Sequence, residues 1–252
     1  MRVKEIPKRL KQIKNPPKEL YYEGELSLLE RESISIVGSR RPNQYTKQMT
    51  LLISQKLSSM GYVIVSGAAM GVDAIAHKGA YPSTISVMAN SLDIIYPKIN
   101  QTLIEQMREN SLLLSEYPPT TKATRYSFVL RNRIVVALSK TLIIMEADLN
   151  SGTLRSFEFA KQMGKEVYVL SHRVGESLGT QMLLKSGLAK PIVDIDEFLS
   201  NFGGIDKEKE SELSFFDKPR SLDEALDRFG ERIYELELDG VIEIKDFKVF
   251  KI

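Results

Sequence analysis

The chain has 252 residues, 42% of them hydrophobic and 27% charged, the make-up of a globular protein with one large domain and room for a small one. It contains no cysteine, which excludes disulfides, thiolate zinc sites and cysteine nucleophiles and suits a reducing cytoplasm. The net charge is only +2, so a nucleic-acid surface has to come from local clustering of Lys and Arg, not from bulk charge.

The opening run, Met1-Arg-Val-Lys-Glu-Ile-Pro-Lys-Arg-Leu, lacks the apolar core of a signal peptide, and no apolar run is long enough to cross a bilayer. A cytoplasmic chain without a membrane partner is the expectation. Residues 1–32 form an N-terminal extension in which helix-like patterning from Ile6 to Ile13 breaks at Pro16-Pro17. The stretch that follows is too short to fold alone and is expected to pack on the main domain.

From Ser33 short apolar runs alternate with amphipathic stretches. Strands are predicted at 35–37, 62–65, 84–88, 112–114, 141–145 and 167–170, with helices at 46–59, 72–79, 101–109, 128–138, 153–163 and 180–188. Strand runs without polar alternation suit a parallel sheet covered on both faces, so a doubly wound α/β domain is predicted over 33–203. Residues 204–218 carry glycine and charge with little to bury and read as a linker. In 219–252, Leu222, Ala225, Leu226, Phe229, Ile233 and Leu236 fall at helical spacing, and the alternation around Asp246 suggests a hairpin. That order is the outline of a shortened winged helix. Its acidic residues (Asp223, Glu224, Glu235, Glu237, Asp239) repel phosphate, so contact with protein is expected in preference to duplex DNA.

Ligands of open α/β sheets bind at the C-terminal ends of the strands, which makes those turns the places to search. The first strand runs into Gly38-Ser39-Arg40-Arg41-Pro42. Gly38 would let the backbone approach a phosphate, Ser39 offers a hydroxyl and an amide, and Arg40 offers a planar donor fork. The plain alternative is a strand-to-helix turn with solvated arginines. The second strand runs into Ser66-Gly67-Ala68-Ala69-Met70-Gly71-Val72-Asp73, where small residues precede a helix N-terminus able to receive an anion. Neither turn spells G-x-G-x-x-G, so no dinucleotide cofactor is expected. Asp73 would serve the first turn of its helix, and His77 reads as a packed, satisfied side chain. The two histidines, His77 and His172, form no ligand pair, so no metal is expected.

Between Arg125 and Ser139 the chain places Arg125, Arg131, Arg133, Tyr126, Phe128 and Asn132 beside an apolar run at helical spacing. Arginines beside a buried face need anionic partners, either internal carboxylates or phosphates, and a ring nearby gives a base something to stack on. Ser151, Gly152 and Thr153 stand where a helix starts, as an anion cradle or a simple N-cap. Glu146 and Asp148 are close in sequence, which alone makes no acid–base pair.

Taken together, Val37-Gly38-Ser39-Arg40, Ser66 to Asp73 with His77, Ser115-Glu116-Tyr117-Pro118-Pro119, Phe128 to Ser139, and Ser151-Gly152-Thr153-Leu154 occur in the order seen in the DprA (Smf, DNA-processing protein A) family. Gly179 to Gly187 resembles that family as well. The resemblance covers about residues 15–200. It implies an extended Rossmann-like fold that binds no dinucleotide, and a single-stranded DNA-binding protein of natural transformation that is not an enzyme. Such proteins protect incoming strands, load the RecA recombinase onto them and act as homodimers. By position, Arg40 resembles the backbone-binding arginine, Arg125 a basic DNA contact and Phe128 a base-packing ring. Arg131 and Arg133 follow, one facing DNA and one supporting from behind. With Gly38, Ser39, Gly67, Ser151, Gly152 and Thr153 they complete the expected DNA-binding set. Met70 departs from the family, where arginine is common. The rival reading is a nucleoside-monophosphate phosphoribohydrolase-like enzyme. It needs a double-glycine loop and a catalytic glutamate, whereas Asn150-Ser-Gly-Thr-Leu-Arg-Ser-Phe-Glu158 lacks the double glycine and leaves Glu158 as a surface residue.

Overall fold

All five residues of Ser33-Ile-Ser-Ile-Val37 are buried, so the serine–isoleucine alternation does not mark a solvent-facing side. The isoleucines pack under one helical layer. The serines lie under the other and hydrogen-bond to its carbonyls: the Ser35 hydroxyl donates to Val135 O at 2.7 Å and that of Ser33 to Leu138 O at 2.8 Å. Small side chains at these positions let a helix settle close onto the sheet.

The computed structural model describes residues 1–11, 13–203, 215–216, 218–230, 232–238 and 242–251. The expected linker over 204–218 falls almost wholly outside the described residues. The chain divides into two units, Met1–Gly204 and Ile205–Ile252. In chain order the first holds α1 (Lys8–Lys11), β1 (Tyr21–Gly24), β2 (Ser33–Val37), α2 (Gln44–Ser59), β3 (Val63–Gly67), α3 (Val72–Ala80), β4 (Thr84–Val87) and α4 (Gln101–Asn110). It continues with β5 (Leu112–Ser115), α5 (Arg125–Leu138), β6 (Thr141–Ile144), α6 (Gly152–Gln162), β7 (Glu166–Leu170), α7 (Leu178–Lys185), β8 (Lys190–Ile192) and α8 (Ile195–Ser200).

The sheet order is β1-β5-β4-β3-β2-β6-β7-β8, parallel throughout except for the antiparallel β1–β5 pair. From β2 the chain winds outward to β5, returns to lay β6 against the other side of β2, and winds outward again. The reversal opens a crevice at the carboxyl ends of β2 and β6. One apolar layer joins Ile34, Ile36, Ile64 and Ile143 to Ile53 and Leu57 of α2 and Val72 and Ala76 of α3. The other joins Val63, Val65, Leu142 and Ile144 to Ile134, Val135 and Leu138 of α5 and Phe157 and Ala160 of α6, and takes in Val3, Leu10, Leu20 and Leu28 from the N-terminal residues. The architecture is a Rossmann-like α/β sheet covered on both faces. The six predicted strands and six predicted helices are present with shifted ends. The edge strands β1 and β8 and the short α8 are additional, and the predicted helix from Ile6 to Ile13 is present as α1 alone, Gln12 lying outside the described residues.

The second unit is described by itself. It contains β9 (Arg220–Ser221), α9 (Leu222–Phe229), α10 (Arg232–Leu238) and the hairpin β10 (Ile242–Lys245) and β11 (Lys248–Lys251), with sheet order β10-β11-β9. Asp246 and Phe247 both have positive φ (51° and 58°), the geometry of a tight two-residue hairpin turn. Phe216, Ala225, Ile233, Ile242 and Val249 form its core. Ser221 and Glu224 make a capping box at the start of α9, so Glu224 serves its own helix. Glu237 accepts a hydrogen bond from Ile244 N at 3.0 Å. Asp239 and the side chain of Glu235 lie outside the described residues.

Candidate nucleic-acid interface

The crevice between β2 and β6 is a cavity of about 520 Å³. Its walls come from the turn after β2 (Gly38, Ser39, Arg40), the turn after β3 (Gly67, Ala69), the first half of α5 (Arg125, Phe128, Arg131, Asn132) and the start of α6 (Ser151, Gly152, Thr153). Ten of the eleven expected binding residues therefore meet at one place, although they come from four separate segments. Arg133 is the exception. It is buried and paired with Glu116 (Nη2–Oε2 2.6 Å, Nη1–Oε1 3.3 Å), and it lines two other cavities.

The turn glycines act differently from expectation. A side chain at Gly38 would strike Val72 at 2.6 Å, and one at Gly67 would fall on the Arg131 guanidinium. Both are therefore needed for internal packing, while their backbones line the cavity. Gly152 is open: a Cβ there meets nothing within 4 Å. Ser151 occupies the cap position of α6, yet its hydroxyl makes no capping bond, and its buried Oγ has no hydrogen-bond partner among the described residues. The helix therefore begins at the cavity wall with Gly152 and Thr153, where the positive end of its dipole suits an anion. The Ser39 hydroxyl accepts from Arg41 N at 3.1 Å, which holds the arginine turn in shape.

α5 begins with a capping box in which Thr124 Oγ1 accepts from Ser127 N (3.1 Å) and Ser127 Oγ accepts from Thr124 N (2.8 Å). Arg125 follows as the first helical residue, exposed, with no acidic residue in the first turn. A cation here adds to the positive end of the helix dipole, a local cost that an anion at the same place reverses. The Arg40 guanidinium lies 5.1 Å from the Phe128 ring centroid, within cation–π range. On that same ring Tyr96 packs at 5.8 Å with the planes inclined by 49°. Phe128 is thus half-buried between two neighbours, while Tyr96 remains 46% exposed. Tyr96 escaped the sequence reading because it directly follows no strand. Its loop is tied down by Asn100, whose Nδ2 donates to Ala68 O (3.0 Å) and Ala69 O (3.1 Å).

Arg131 forms the floor. It is buried, donates to Val87 O at 2.6 Å and lies 3.9 Å from Asp73. Burial pushes the Asp73 carboxyl up, against the opposing pull of Arg131. His77 beneath them is buried as well, and burial lowers its pKa to about 4. Its Nε2 is 2.6 Å from Gly67 O, a pure acceptor, so Nε2 carries the proton and Nδ1 accepts from Thr84 Oγ1 at 2.7 Å. Glu146 accepts from Asn43 N (3.0 Å) and Thr46 Oγ1 (2.7 Å) at the start of α2. Asp148 lines the cavity as an exposed carboxylate, and Glu158 is exposed on α6 away from it. The lining thus offers cations, amides and rings together with the carboxylates of Asp73 and Asp148.

Comparison with known proteins agrees in extent and fold. The family model for DNA recombination-mediator protein A matches residues 1–203. The protein Smf of Synechocystis is 38% identical over 210 residues, covering 80% of this chain and 52% of that protein. The DNA processing protein DprA of Bacillus subtilis is 37% identical over 171 residues, covering 66% and 58%. The chain thus spans little more than half the length of these relatives. The DNA processing protein A of Helicobacter pylori, solved for its single-stranded DNA binding mode, superposes with a TM-score of 0.79 at 42% identity, covering 80% of this chain and 94% of that one. The DprA structure from Streptococcus pneumoniae gives 0.73 at 33% identity, covering 77% and 70%. With the match running through the whole first unit, the chain belongs to the DNA recombination-mediator protein A family.

Proposed function

We propose that the chain binds single-stranded DNA at the β2/β6 crevice, shields it during natural transformation and delivers it to the RecA recombinase, without breaking any bond in the strand. The observation that carries this reading is the meeting of Arg40, Arg125 and the Tyr96–Phe128 ring pair at one cavity beside the open start of α6. Phosphates take the arginine forks and the free amides, and unpaired bases stack on the rings, which tolerates any sequence. The family's description as a recombination mediator supports the hand-over to RecA. A homodimer belongs to the same reading, and Leu178 and Met182, exposed and four residues apart on α7, offer it apolar surface.

The test is a competition between single-stranded and duplex oligonucleotides for the purified protein across a salt titration. Single strands are expected to win. Arg40→Ala and Arg125→Ala are each expected to weaken binding and to reduce the slope of log K against log salt by about 0.7. Wild-type affinity and slope in both variants would refute the reading.

A further inference from the structure

Arg133, which did not join the crevice, leads to a second site. The C-terminal half of α5, the face of α6, Arg9 and residues 13–15 enclose a cavity of about 660 Å³ at the amino ends of β6 and β7, the end of the sheet away from the crevice. Arg9, Lys14, Arg133, Lys140 and Lys165 line it, and among the described residues no Asp or Glu does. The carboxylates that neutralise part of this charge stand outside the lining: Glu116 pairs with Arg133, and Glu32 pairs with Lys140 at 2.9 Å and reaches Arg9 at 4.0 Å. Among the described residues five cations thus meet two carboxylates.

Two of the cations converge on the end of α5, where Arg9 donates to Leu138 O (2.9 Å) and Lys165 to Ala137 O (3.1 Å) and Ser139 O. Lys14 has no ion-pair partner among the described residues. Arg133 is 7% exposed, and its buried Nε has no hydrogen-bond partner among the described residues. Ile13, Leu130, Phe159 and Met163 supply an apolar wall. The volume falls within the range of pockets that enclose small organic ligands, about 300–1,000 Å³.

We propose that this cavity binds a nucleoside diphosphate or an organic phosphate of similar build, its phosphoryl oxygens held by Lys14, Lys140 and Lys165 and its ring laid against Ile13, Leu130 and Phe159. Ammonium groups are compact point charges that suit a cluster of phosphoryl oxygens, and the surplus of cations makes the empty pocket self-repelling. Burial, with Arg9 close by, lowers the Lys165 amine to about 8. The amine is met by Arg9 and by the carbonyls of Ala137 and Ser139, and it shares the cavity with Lys14, Arg133 and Lys140. A bound phosphate favours the protonated amine, so affinity falls as pH rises through 8, where the phosphate itself is already fully ionised.

The experiment is calorimetric titration of the full chain with ADP and, separately, with inorganic phosphate. ADP is expected to bind the Arg40→Ala/Arg125→Ala double variant as well as wild type, and to bind Lys14→Glu and Lys165→Met at least about tenfold more weakly. Lys14 is exposed, so Lys14→Glu remains informative if removing Lys165 from the α5 end unfolds the chain. Loss of ADP binding in the crevice double variant, full ADP affinity in Lys14→Glu, inorganic phosphate binding as tightly as ADP, or no ADP binding at all would each overturn the proposal. Single-strand binding is expected to be unchanged in Lys14→Glu, so this test and that of the crevice fail separately.

Discussion

Tyr96 and Phe128 divide one task between two rings. In the proposed binding mode Phe128, flanked by Arg40 and Tyr96, steadies the guanidinium and offers a base only its remaining open part, while Tyr96 presents the more open ring. Tyr96→Ala is expected to cost about 1–3 kcal/mol of affinity for an oligonucleotide and nothing for an abasic strand of equal length. Anisotropy titrations of the two strands separate stacking from charge; an equal loss for both would remove the stacking role. Phe128 was legible because it stands on a recognisable helix. Arg131 and Arg133 were harder to separate, since residues two apart on a helix point about 160° away from each other and the apolar pattern alone does not say which one faces the crevice. The structure turns Arg131 toward Gly67 and Arg133 toward Glu116.

At the scale of elements, α5 carries the site. It delivers Arg125, Phe128 and Arg131 to the crevice from a start fixed by Thr124 and Ser127. Thr124→Ala is expected to lower stability by about 1 kcal/mol and Thr124→Ser to restore most of it, measured by denaturant melts; an unchanged midpoint in the alanine variant would show that the cap is idle. The inner strands announced themselves because both faces are covered and every residue can be apolar or small. β1 and β8 could not. Tyr21–Gly24 is only half-buried throughout, and Lys190–Ile192 is three residues long with a proline in the middle, so each lacks the apolar run that identifies its neighbours. For two of the crevice glycines, Gly38 and Gly67, the packing reason was hidden, because a sequence does not reveal that Val72 and Arg131 occupy the space beside them.

At the scale of the molecule, the whole crevice lies within the first unit. A chain ending at residue 203 is expected to keep single-strand affinity within about threefold of the full chain. A larger loss in a filter-binding comparison would assign the tail a direct share in the strand. The borders of the sheet carry a last consequence. Residues 1–3 already occupy the outer side of β1, with Val3 N donating to Leu20 O and Tyr22 N to Met1 O, each at 2.8 Å. On the far side, Pro191 has no N–H to offer. Both margins of this sheet therefore offer fewer free backbone groups to a second strand, which lowers the tendency of two copies to zip edge to edge along it.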